Sequence, residues 1–134
     1  MLRPRDALDA CRLFRLVSRA WLGLAAFDLA LLAGFAQAHE RVRTCRVHAR
    51  RSDIGSELIV WAVDEACVWY VKRAPCLQRS AVTACLLRRH GIRADMVIGY
   101  RGLPFESHAW VEVDARIVND RPQYQKFFTV LERL

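Results

Sequence analysis

Three residues of this chain have side chains and surroundings suited to nucleophilic chemistry: Cys76, His108 and Asp120. Cys76 opens Pro75-Cys76-Leu77-Gln78-Arg79-Ser80, just ahead of the apolar run Ala81–Arg89 that Gly91 closes. At the first turn of a helix the backbone N–H groups have no intrahelical partner. Together with the helix dipole they favour thiolate over thiol. A thiol still needs a base, and an imidazole serves only when a partner such as a carboxylate holds one tautomer. His108-Ala109-Trp110-Val111-Glu112 supplies the imidazole, with Asp114 and Asp120 as the nearby acids.

Geometry separates those acids. Asp114 is six residues along the same strand, roughly 20 Å from His108 at about 3.3 Å per residue. Asp120 returns across a hairpin. With a three-residue loop at Val113-Asp114-Ala115, Glu112 faces Arg116, Trp110 faces Val118, and His108 faces Asp120. A two-residue loop at Asp114-Ala115 sets Asp120 opposite Ala109, on the other sheet face. The expectation is the three-residue register or a bulge.

These residues need a scaffold, and the chain offers helices followed by a small antiparallel sheet, an α+β architecture. Residues Ala7–Ala38 read as one helix, with Leu13, Leu16, Val17, Ala20, Trp21, Leu24, Phe27, Leu31 and Phe35 recurring at three and four, and Gly23 as a bend. Its Ala20–Ala36 run resembles a membrane span or an export signal. A length of about 17 residues and a central Asp28, costing roughly 2.5–3.5 kcal/mol in a bilayer, favour an amphipathic or buried helix. Membrane association of residues 7–38 is the second reading.

His39–Arg51 reads as a basic connector, a solvated stretch or a docking surface. His39, His48 and His90 lack ligand spacing and read as surface groups. Asp53 is placed as N-cap of a helix over Glu57–Lys72, with Ile59, Val63, Ala66 and Tyr70 inward and Trp61 and Trp69 widening the packed face. Pro75 ends that helix. The Cys76 helix follows, with Arg88 and Arg89 at its negative end and His90-Gly91-Ile92 as its cap. Ala94–Tyr100, His108–Val113 and Arg116–Asn119 read as strands, and residues 121–134 as a tail packing as a terminal helix.

The 134 residues suit one domain, divided into a basic helical part over 1–51 and a catalytic core over 52–134. Of the net charge of +7, residues 1–51 carry +6, ten arginines against four acids. Such a surface suits nucleic acid, anionic lipid or an acidic peptide, and charge alone does not choose among them. The five cysteines (Cys11, Cys45, Cys67, Cys76, Cys85) form no CxxC and are an odd number. They make a poor disulfide framework and a poor zinc site, so a reducing, cytoplasmic compartment is expected. Cys11, Cys67 and Cys85 read as small buried hydrophobes.

Pro75-Cys76-Leu77-Gln78-Arg79-Ser80, Leu86-Leu87-Arg88-Arg89-His90-Gly91-Ile92, Val97-Ile98-Gly99, Pro104-Phe105, His108-Ala109-Trp110-Val111-Glu112-Val113 and Asn119-Asp120 together resemble the lasso-peptide biosynthesis B2 proteins. These are leader peptidases of the transglutaminase-like (papain-like) cysteine protease superfamily. The match is closest from about Trp61 to Asp120. The resemblance implies a nucleophile-bearing helix packed on a sheet that carries His and Asp. It implies cleavage between leader and core of a ribosomally made precursor, with Cys76 as nucleophile, His108 as general base then acid, and Asp120 as orienting residue.

The helical character of residues 1–55 fits the stand-alone form, which works with a separate leader-recognition (B1) protein. An asparagine-synthetase-like cyclase acts on the freed core. No metal, nucleotide or other cofactor is implied, and no nucleic acid is expected. Two features depart from the family pattern. Ala115 stands where relatives commonly have glycine, and no glutamine precedes Cys76 to complete the oxyanion hole, so the second donor is unidentified. Outside hydrolysis, the same triad suits transglutaminase-type acyl transfer. The non-enzymatic alternative is a basic scaffold that binds precursor or membrane.

Overall fold

The computed structural model describes residues 4–134, with side chains from Asp9 onward. The first three residues of the basic part, and the side chains of Arg5 and Asp6, lie outside the described set. Four helices come first: α1 (Pro4–Ala33), α2 (Phe35–Thr44), α3 (Ser56–Val68) and α4 (Cys76–Arg89). Strands β1 (Asp95–Arg101), β2 (Glu106–Val113) and β3 (Arg116–Ile117), the single turn α5 (Tyr124–Phe127) and β4 (Thr129–Arg133) follow. The strands form one antiparallel sheet in the order β3-β2-β1-β4. This is the α+β arrangement expected, helices packed on a small sheet.

One apolar core runs through both layers. Leu16, Ala20, Leu24 and Phe27 of α1 pack with Ile59, Val63 and Ala66 of α3, Ala81, Ala84 and Leu87 of α4, and Met96, Ala109 and Val111 of the sheet. The predicted single N-terminal helix is two. It breaks at Gly34, whose φ of 130° only glycine adopts readily, and not at Gly23. Gly23 stays helical and lets α4 approach, since a Cβ there would lie 3.1 Å from Val82 Cγ1. The start of the expected connector is therefore α2.

Several other expectations are corrected. Gly55, not Asp53, occupies the N-cap of α3, while Asp53 pairs with Arg12 at 3.3 Å. That helix stops at Val68, well before Pro75, so Trp69 lies outside it; Trp69 and Trp61 are exposed, not packed. His90 is buried, its Nδ1 2.9 Å from Ser52 Oγ, and His39 contacts Glu132 at 2.8 Å. The tail forms no terminal helix: after the single turn α5, β4 pairs along the free edge of β1. Its run Thr129-Val130-Leu131 holds two β-branched residues, and an unpaired strand edge is the natural place for it.

α4 is closed by Gly91 at φ 79°, with Ile92 N–H donating to Leu87 O and Gly91 N–H to Arg88 O, each at 3.0 Å. Arg88 does more than complement the helix dipole. It is buried and donates to carbonyls of Val42, Cys45, Ala94 and Leu134, tying the end of α2, the entry to β1 and the end of β4 to one side chain.

Candidate functional site

The site is assembled where β3 stops. The β2–β3 turn has two residues, Asp114 and Ala115, at φ 50° and 62°, with Val113 opposite Arg116 and Glu112 opposite Ile117. The three-residue register is thus overturned. Paired left-handed residues match the twist of the flanking strands, and that preference outweighs the penalty at Ala115. Glu112 accordingly pairs with Arg133 of β4 at 2.7 Å rather than with Arg116. Asp114 is exposed at the turn, away from the site.

In this register a regular ladder would place Asp120 beside Ala109. The ladder is not regular. After the Val118 N–H donates to Val111 O, the chain bends through Val118, Asn119 and Asp120 and leaves the sheet. Three backbone groups on the edge of β2 then lack a strand partner, and side chains replace it. Asn119 Oδ1 accepts the Val111 N–H at 2.8 Å. Ser80 Oγ donates to Ala109 O at 3.0 Å and accepts from Asn119 Nδ2 at 3.0 Å. The Ala109 N–H lies beside the Cys76 sulfur, close enough to lower its pKa. Ser80 and Asn119 are both buried, and each polar atom of their side chains has a partner.

The bend turns the Asp120 carboxylate to His108, whose Nε2 lies 2.8 Å from Oδ2. A carboxylate only accepts, so Nε2 carries the proton and Nδ1 is left for the thiol of Cys76, with which the ring is hydrogen-bonded. The structure therefore brings Cys76, His108 and Asp120 together.

The hydrogen bond with His108 lowers the Cys76 pKa. Burial opposes this, and the N–H groups of Ala109 and Leu77 lower it further, leaving the thiol below its ordinary range. His108 moves the other way. The bond with Cys76 raises it, burial opposes, and Asp120 adds to the rise. Both shifts favour the thiolate–imidazolium form of the pair over thiol and neutral imidazole.

Aromatic rings hold the imidazole on its open side. Tyr124 lies 4.5 Å away between ring centroids, Phe128 5.8 Å and Trp110 6.2 Å. Trp110 is fully buried and donates to Glu112, which also accepts from Arg133 and Gln125. Burial pushes the Glu112 carboxyl up, but the bonds from Arg133, Trp110 and Gln125 bring it below the usual range. Gly99 makes room for this indole, since a Cβ there would meet Trp110 Cη2 at 2.6 Å.

Sequence reasoning missed Arg79. Its Nη2 bonds Asp120 Oδ2 at 3.1 Å and Asn119 O at 3.2 Å, fixing the carboxylate from the helix side. It lies one helical turn after Cys76 on the same face, which is the signal that could have found it.

The other thiols lie elsewhere. Cys11 is exposed and Cys67 and Cys85 are half-buried, so the expectation of three buried hydrophobes fails, most plainly for Cys11. A groove of about 940 Å³ between α1, α2 and α4, on the face of α4 turned away from Ser80, holds Cys45 and Cys85. Their mutual hydrogen bond, with Arg89, Arg88 and Arg41 nearby, pulls Cys45 down to about 6 against the effect of burial. No cluster of metal-ligating side chains occurs among the described residues.

Comparison with known proteins agrees with this architecture. The chain is 30% identical over 87 residues to the microcin J25-processing protein McjB of Escherichia coli, a match covering 65% of this chain and 39% of that protein. It spans about two fifths of the length of that relative. No solved structure matches. A family model described as the transglutaminase-like superfamily matches residues 20–133, from within α1 to the end of β4. A thiol-bearing helix start on a sheet that carries His108, with Asp120 in the bend that leaves that sheet, in a chain matched over nearly its whole length, makes this protein a member of the transglutaminase-like superfamily.

Proposed function

We propose that this protein is a cysteine peptidase that cuts the amide bond between leader and core of a ribosomally made lasso-peptide precursor. The observation that carries the reading is the hydrogen-bonded chain Cys76–His108–Asp120 at the N-terminus of α4. Similarity to a microcin-processing protein supports the substrate class. A separate leader-recognition protein would deliver the precursor, and an asparagine-synthetase-like cyclase would take the freed core. Five free cysteines suit a reducing, cytoplasmic setting.

In this mechanism the Cys76 thiolate adds to the scissile carbonyl carbon. The oxyanion receives the Cys76 N–H, unpaired at the helix start. His108 gives its Nδ1 proton to the departing amine, the C–N bond breaks, and a thioester to Cys76 remains. Water enters, His108 takes its proton, and hydroxide displaces the thiolate to release the carboxylic acid. Asp120 keeps Nε2 protonated throughout and stabilises the imidazolium. An amine in place of water would give acyl transfer on the same residues.

Incubation of precursor, leader-recognition protein and this chain, followed by mass spectrometry, tests the reading. Release of leader and core as free acid and amine is expected, with none from Cys76→Ala. No cleavage by the unmutated chain, equal cleavage by the variant, or an amide-linked product in place of the acid would overturn it.

A further inference from the structure

The outward face of α1 is apolar and uncovered. Phe14, Leu22, Leu29 and Leu32 are 76%, 62%, 67% and 85% exposed, and Phe35, where α2 begins, is 58% exposed. At about 100° per residue the four leucine and phenylalanine positions of α1 and Ala25 between them fall within about 80° of one another, a stripe about 27 Å long interrupted only by Ser18. Isolated exposed apolar side chains are ordinary, but a stripe of this size marks an interaction surface.

Its edges are cationic. Arg15 and Arg19 are exposed along one side and pair with no carboxylate among the described residues. On the other side Lys72 reaches Asp28 at 3.3 Å, and the Trp21 indole donates to Trp69 O at 3.3 Å. These contacts seat the exposed segment Trp69, Val71, Lys72 and Arg73 beside the stripe. Asp28 is the one acid between Ala10 and His39, and Tyr70, Lys72 and Gln78 already occupy it.

We propose that α1 lies flat on an anionic membrane surface, with this stripe among the acyl chains, its arginines and lysine at the headgroups, and Trp69 at the boundary. The inference stands apart from the peptidase reading. Charge complementarity selects the occupant: an apolar centre with cationic borders and a boundary tryptophan is the pattern of an interfacial helix. Shape agrees, because the convex outer face of a helix encloses no peptide.

The helix is long and apolar enough to span, with mean hydropathy 1.6 over an 18-residue window within Asp9–Ala33. Its other face is committed. Leu16, Ala20, Leu24 and Phe27 are core residues between 0% and 4% exposed, and spanning would strip them from α3 and α4.

Sedimentation of the full chain with phosphatidylglycerol–phosphatidylcholine vesicles, and with phosphatidylcholine alone, tests the proposal. Binding at least about tenfold stronger to the anionic vesicles is expected, weakening with salt. The double variant Leu29→Glu, Leu32→Glu should bind about a hundredfold less, and Arg15→Glu, Arg19→Glu about tenfold less, with unchanged circular dichroism because all four side chains are exposed. Failure to bind anionic vesicles, or equal binding by the leucine variant, overturns it. So does retention after an alkaline wash, which would mean a spanning helix. A dimer in solution that the leucine substitutions dissociate would make the stripe a contact between copies and also overturns it.

Discussion

His108 Nε2 and Asp120 Oδ2 meet at 2.8 Å although the β2–β3 register, continued regularly, would direct them to opposite faces of the sheet. The contact exists because the chain leaves the ladder after Val118, and Asn119 holds that departure open. Asp120 is thereby positioned by a bend rather than by strand pairing, and Arg79 secures it from α4.

Replacing Asp120 therefore separates charge from orientation. Asp120→Asn retains a carbonyl that can accept from Nε2, whereas Asp120→Ala leaves the ring free to turn. Steady-state kcat/KM should fall on the order of a hundredfold or more in the alanine variant and less in the asparagine variant. KM should change little in either, since neither side chain is asked to bind substrate.

The opposite shifts of Cys76 and His108 set the pH behaviour. Thiolate at Cys76 persists below the ordinary thiol range and is lost as pH falls through its lowered pKa. The His108 proton is present below the ordinary imidazole value and is lost as pH rises through its raised pKa. Iodoacetamide alkylation of Cys76, followed by peptide mass spectrometry, should thus remain fast below the normal thiol range. In His108→Ala its pH midpoint should move upward, towards an ordinary cysteine.

Ala115 holds a left-handed backbone angle that glycine adopts without a Cβ clash. Ala115→Gly should stabilise the protein by about 0.5–1 kcal/mol, the relief of strain less the added chain entropy of glycine. Urea unfolding with an unchanged slope would measure it.

Asn119→Ala removes the partner of the buried Val111 N–H and one partner of Ser80. A loss of about 1–3 kcal/mol is expected in the same unfolding experiment. Activity should fall further than stability explains, because Asp120 follows Asn119 in the bend.

Much of this arrangement was legible in the chain itself. Cys76 after Pro75, and the glycine cap at Gly91, are local signals, and local signals set helix ends; α4 begins and ends where they place it. The choice of Asp120 over Asp114 followed from strand geometry. The route to it did not, because a three-residue ladder and a two-residue turn followed by a bend bring the same residues together. What separates them is Asn119 pairing with Val111 and Ser80, a contact between three segments that no periodicity reveals. Arg88 and β4 escaped for the same reason. A cationic side chain near a helix end resembles a dipole partner until the carbonyls of distant segments are placed around it, and a short terminal strand becomes one only beside an open edge. Trp61 and Trp69 were misplaced by taking apolar side chains as a sign of burial, which the surface beside α1 contradicts.

The early end of β3 has a further consequence for how this sheet avoids its own kind. An uncovered strand edge invites another chain to pair with it, and many proteins guard such edges with charge or proline. Here the guard is the candidate site: the atoms of Ala109 and Val111 that a foreign strand would seek are faced by a thiol, a hydroxyl and an amide. Lengthening β3 as far as Asp120 would compete for those same atoms and push Cys76 aside. Sheet growth and the triad's assembly thus exclude each other, which gives the brevity of a two-residue strand a protective value as well as a chemical one.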